Sequence, residues 1–143
     1  MYNYMMMKTR LFLHAFFLLV LVGVLNYIAT KFYLYWSTSW FDTIVHTLAG
    51  ATVGMTMILF WQYRHPHLSL PDFNRRHLVK IGVSAAVVIG ILWEIYELSF
   101  GITTFADGIH YVTDTASDLA CDTIGGFLGS LYAYRLIRNY KKI

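Results

Sequence analysis

The chain has 143 residues, of which 57% are hydrophobic and only 13% charged. Soluble domains run about 25% charged, so an ordinary soluble protein is excluded, and the length suits one integral membrane domain over residues 1–143. The formal charge of +3 comes from basic residues at segment ends, which suits membrane orientation rather than a nucleic-acid partner, and the single cysteine, Cys121, excludes an intrachain disulfide framework.

A membrane crossing needs about 20 mainly apolar residues, and four stretches qualify in chain order. The first, at about 11–33, is preceded by Lys8 and Arg10, but its apolar run is longer than the roughly 7–15 residues of a signal peptide. The methionine-rich start, "MYNYMMMKTR", reads as a disordered or interfacial segment. The second stretch is about 41–63, and "FYLYWSTSWF" before it makes an interfacial aromatic belt. Pro66, Pro71 and Asp72 break the helix in the next loop. The third stretch is about 77–100. The fourth, about 115–137, is the least hydrophobic; its Gly125, Gly126 and Gly129 favour close helix packing. The expected fold is an all-α membrane protein with four transmembrane helices in a compact bundle.

Lys and Arg set the orientation. They gather before the first stretch (Lys8, Arg10), around the middle loop (Arg64, Arg75, Arg76, Lys80) and after the fourth (Arg135, Arg138, Lys141, Lys142). The loop between the third and fourth stretches has none. Both termini are therefore expected in the cytoplasm, in a multi-pass membrane protein.

Six of the eight acidic residues, Asp42, Glu94, Glu97, Asp114, Asp118 and Asp122, then fall at the outer ends of three adjacent spans. Residues three or four apart share a helix face, so Asp42 pairs with His46, Glu94 with Glu97, and Asp114 with Asp118 and Asp122. Each face continues inward through small residues. A central Asp costs roughly 2.5–3.5 kcal/mol to insert, and no Lys or Arg lies nearby in the sequence of those outer halves. His46 is the expected internal partner, with His110 a second from the loop. The cluster must be neutralised by protons, a bound cation or a cationic substrate group.

As metal ligands, Asp42, His46, Glu94, Asp118 and Asp122 give mostly oxygen with one imidazole. That set suits Mg²⁺ or Mn²⁺ and does not exclude Zn²⁺ or Fe. "EIYE" is Glu-x-x-Glu, not the Glu-x-x-His of di-iron bundles. If the site is catalytic, Glu97 is ligand or general base, with Glu94 and Asp118 the other reacting carboxylates, in a metal-assisted hydrolase or phosphoryl transfer on a membrane lipid. The bland alternative is a hydrogen-bonded network that fixes helix register. Cys121 reads as a packed thiol, His14 and Asn26 as interhelical hydrogen-bonding residues, and Thr43, Thr115 and Thr123 as caps or back-bonding hydroxyls.

The segments "DTIVH" (42–46), "WEIYE" (93–97) and "DTASDLACDTIGGFLG" (114–129) resemble the VanZ-like membrane proteins. They resemble still more the YjdF-like inner-membrane family, because Glu97 and Asp122 stand where VanZ-like proteins more often have Gln and Asn. VanZ-like proteins are associated with low-level glycopeptide resistance, and the YjdF-like proteins have no established activity. The resemblance, over roughly residues 40–130, therefore implies the fold and the polar site rather than a reaction. Three functions follow as expectations: an envelope protein whose outward acidic pocket binds a cation and a lipid-linked headgroup; a proton- or ion-coupled transport component, which would need a homo-oligomer; and a structural or adaptor protein.

Overall fold

The computed structural model describes residues 2–65 and 74–140. Pro66, Pro71, Asp72, Lys141 and Lys142 lie outside the described residues. Those described form α1 (Tyr2–Lys31), a single turn α2 (Leu34–Ser37), α3 (Ser39–Arg64), α4 (Arg75–Phe100), a 3₁₀ turn (Phe105–Asp107) and α5 (Ile109–Tyr140).

The helix ends follow from local chemistry. Tyr33 takes a left-handed conformation, φ 57°, and so separates α1 from α2. The Tyr35 hydroxyl donates to Asn26 Oδ1 at 2.7 Å, tying α2 back onto α1. Asn74 caps α4, its side chain accepting from the Arg76 amide at 3.0 Å. Gly101, φ 68°, ends α4 in the left-handed conformation that glycine adopts without penalty. Thr104 and Asp107 then form a reciprocal capping box, which turns the chain into α5.

Three of these helices are long and apolar enough to cross a membrane: Met5–Lys31, Trp40–Arg64 and Arg75–Phe100. The expected fourth, α5, is 32 residues long but is not among them. Its aspartates and glycines, useful for packing, dilute its hydropathy.

The methionine-rich start is helical rather than disordered. It is the first turns of α1, and Met7 is buried with Leu11, Ile58, Leu78 and Ile137 in an apolar core at the end of the bundle remote from Asp42. Met is flexible enough to fill an irregular gap between helices.

Above that core, α5 packs closely on α3 and α4. A Cβ on Gly50 would meet the Asp122 backbone, one on Gly125 the Thr47 carbonyl, and one on Gly129 the Ala51 carbonyl. Numbers rise together along each row of contacts, from Gly50–Asp122 to Gly54–Gly126 and from Thr47–Gly125 to Ala51–Gly129, so α3 and α5 run parallel. Against α4 they run in opposite directions: Gly82 faces Ser130, Ala86 faces Gly126 and Gly90 faces Asp122. Small residues here let backbones touch, as dispersion-driven packing in lipid requires.

A side chain at the α3–α5 crossing must therefore push the helices apart. Gly125→Val is expected to lower stability by about 2–3 kcal/mol or to prevent folding. Gly23→Ala should cost nothing, because a Cβ there meets no atom within 4 Å. Unfolding in mixed detergent compares the two, and equal losses would overturn the packing argument.

Candidate functional site

The faces that share a period in the sequence converge at one end of the bundle. Asp42 and His46 stand one turn apart on α3, and Nε2 of His46 lies 3.4 Å from Asp42 Oδ1. The same nitrogen is 4.0 Å from Asp118 Oδ2 on α5. The other ring nitrogen, Nδ1, lies 3.3 Å from Asp122 Oδ2, one turn further along α5. His46, Asp118 and Asp122 are buried, and Asp42 is partly open, with 22% of its side chain exposed.

The imidazole is thus held between three carboxylates with its two nitrogens in different roles. Asp122 can only accept when ionised, so its contact favours a proton on Nδ1. That leaves Nε2 facing Asp42 and Asp118. One ligand atom from each of Asp42, His46 and Asp118 lies within 4.8 Å of the others. The charge where they meet must be neutralised, by protons on the ring or the carboxylates or by a metal ion. An Asp–His–metal order, in which the carboxylate on the far nitrogen fixes the tautomer, is a common arrangement at metal centres.

Glu94 and Glu97 enter from α4. Glu94 is buried, and one carboxylate oxygen accepts from the Thr115 hydroxyl at 2.5 Å. Its other oxygen, Oε1, is buried without a hydrogen-bond partner, a costly state for a carboxylate. Glu97 is half-buried, and Trp93 Nε1 donates to its Oε1 at 3.0 Å. Of the five expected ligands, Asp42, His46 and Asp118 form the close group, while Asp122 and Glu94 stand beside it. Asp114 is exposed at the opening, and His110 is exposed at the start of α5.

Other expectations divide in the same way. Cys121 is a buried free thiol. The Tyr132 hydroxyl and His14 Nδ1 lie 2.8 Å apart, linking α5 to α1, whereas Asn26 bonds to α2 rather than to another long helix. Thr123 bonds back to the Leu119 carbonyl at 2.7 Å, but Thr115 reaches across to Glu94 instead. The spacing held a clue: Thr115 is three residues before Asp118 and so shares its face. The Ser99 hydroxyl likewise bonds back to its own helix, donating to the Ile95 carbonyl at 2.6 Å.

The chain belongs to the family of predicted membrane proteins DUF2238, whose model matches residues 4–139. A membrane protein family is thereby shown, and the VanZ-like and YjdF-like names remain resemblances. No curated protein matches the chain, and no solved structure does.

Thr115 gives a direct measure of the site's hydrogen bonding. Thr115→Val removes a hydrogen bond to a buried carboxylate and is expected to cost about 1.5–3 kcal/mol. Thr123→Val removes only a bond to its own helix and should cost under about 1 kcal/mol. Detergent unfolding of the two variants checks the order, which would reverse if Glu94 were held by other means.

Proposed function

We propose that this protein crosses the bacterial inner membrane four times, with both termini in the cytoplasm, and binds a divalent cation at its outward end beside a lipid or lipid-linked headgroup. The fourth crossing is supported by register. Because α5 runs parallel to α3, with Asp122 beside Gly50 and Gly126 beside Gly54, it lies at the same depth as a helix that is apolar enough to span. Its polar face turns to α3 and α4, while Ile124, Phe127 and Leu128 are exposed for lipid contact. The distribution of Lys and Arg then assigns the acidic end to the outside.

The observation that carries the cation reading is the close group itself: ligand atoms of Asp42, His46 and Asp118 within 4.8 Å of one another. No Lys or Arg occurs between Ser39 and Ala51, Val88 and Phe100, or Ile109 and Ile124, so no fixed positive side chain of these helices offsets them. Two carboxylates and an imidazole suit Mg²⁺ or Mn²⁺, with Zn²⁺ and Fe also served by such ligands. Asp122, on the far ring nitrogen, is assigned to orienting His46, and Glu94 to completing the ligand set through its unpartnered oxygen.

A divalent ion here would supply a Lewis acid for a phosphoryl or ester oxygen. Glu97 has one oxygen held by Trp93 and is assigned the role of general base, accepting a proton from water. A static site is favoured over an ion pathway because, among the described residues, no Asp or Glu lies in the half of the bundle beyond Asp122. A relay of carboxylates across the membrane would need acidic groups there.

Purified protein is expected to carry about one divalent ion per chain by elemental analysis, and Asp118→Asn to lose most of it. Chelator should lower the wild-type melting temperature and leave that of the variant unchanged. Absence of metal together with indifference to chelator would leave protons as the neutralising charge, and the reading would fall. Topology is checked separately: a fluorescent reporter that matures only in the cytoplasm should glow on either terminus.

A further inference from the structure

The bundle is open on one side. Helices α1 and α4 each pack on α3 and α5, yet among the described residues no Cα of α1 comes within 8 Å of one of α4. Between them, with α3 as floor, lies a cleft of about 250 Å³. Its length is walled by apolar groups, among them Leu19, Val22, Val53 and Ile89. A second cavity shares Val53 and Ile89 and continues the furrow along α3 toward Lys80.

At its other end the cleft changes character. Asp42, Glu97, Tyr35 and Trp93 form the mouth, with His46 and Asp122 also on its wall. No Lys or Arg lines it. The Tyr35 hydroxyl, on the short helix outside the spans, reports the local field: burial and the Asp42, Glu97 and Asp118 carboxylates push its titration well above the usual range.

In a bilayer an apolar cleft that opens sideways is filled by hydrocarbon, because a void forfeits the contacts of its walls. The mouth selects the head that such a chain can carry. Two carboxylates beside two aromatic rings attract an ammonium by Coulomb energy and by cation–π contact, and they repel an anionic head. We propose that the α1–α4 cleft binds a membrane amphiphile with an alkyl chain and a cationic ammonium head, the chain lying along α3 and the head between Asp42, Glu97, Tyr35 and Trp93. This goes beyond the divalent-cation reading and does not rest on it: the two share Asp42, while Glu97 and the two rings lie outside the Asp42–His46–Asp118 group.

Gly23 supplies the test. It lines the cleft, and a Cβ there would meet no atom within 4 Å, so a side chain can start into the cleft from this position and Gly23→Phe is the variant that fills it. Protein in a neutral maltoside detergent, with chelator present, is titrated with dodecyltrimethylammonium, dodecyl sulfate and tetramethylammonium. Bound adducts are counted by native mass spectrometry. One dodecyltrimethylammonium should bind per chain, at least tenfold more tightly than either of the other two. Gly23→Phe and Glu97→Gln should each weaken it tenfold or more, with the melting temperature of Gly23→Phe unchanged. Equal retention of dodecyl sulfate, or unaltered binding by Gly23→Phe, overturns the proposal. If Glu97→Gln does not fold, Gly23→Phe alone decides. Because chelator is present throughout, loss of the divalent-ion reading leaves this result unaffected.

Discussion

The close approach of α3 and α5 is the contact on which the rest depends. Along it, glycines and Ala51 meet backbone rather than side chain: Gly50 against Asp122, Gly54 against Gly126, Gly129 against Ala51. Such surfaces fit in one register. A helix turns about 100° per residue, so a slip of one position would carry Asp118 and Asp122 away from His46 and set a carboxylate toward lipid. The small residues therefore fix the polar site as well as the packing. The hydroxyl of Ser130, which donates to the Gly126 carbonyl at 2.6 Å, satisfies itself inside this crossing and lets a polar residue sit fully buried there.

Register alone does not solve the charge problem. Burying carboxylates is costly unless each is paired or hydrogen-bonded. The chain distributes that cost rather than removing it. Asp42, Asp118 and Asp122 share one imidazole, Glu94 takes the Thr115 hydroxyl, and Glu97 takes the Trp93 ring N–H. These partners come from three helices, so the acids are stable only when α3, α4 and α5 are assembled. An acidic cluster that would oppose the insertion of any helix alone becomes a reason for the three to associate.

Much of this was legible in the sequence, for identifiable reasons. The expected helices at 41–63 and 77–100 lie within α3 and α4, because long apolar runs between turn residues leave little choice. The shared faces of Asp42 with His46 and of Asp118 with Asp122 follow from helical periodicity, and the glycines marked the crossing. Partnerships across helices were less visible. Nothing local tells that Asp122 meets Nδ1 while Asp118 faces Nε2, or that Thr115 reaches Glu94, since these depend on relative helix rotation. The start of α1 was misread because "MYNYMMMKTR" lacks the density of apolar residues that marks a span, and burial of Met7 depends on Ile58, Leu78 and Ile137 from elsewhere in the chain. The cleft was invisible for a similar reason: it arises from two helices whose backbones stay apart.

That last point separates two uses of glycine in one bundle. Gly50, Gly125 and Gly129 are spaces already taken by a neighbouring backbone, and each shortens a distance between helix axes. Gly23 sits on a helix with apolar side chains exposed on much of its surface, yet its missing side chain is matched by no neighbour. Were α1 only a packing element, a larger apolar residue at 23 would gain dispersion contacts with α3 or α4. Its absence leaves free the space of the cleft that Asp42 and Glu97 also line. Tight packing of α3 against α5 and loose packing of α1 against α4 thus act in one direction: the first builds a rigid acidic end, and the second leaves that end reachable from within the membrane plane.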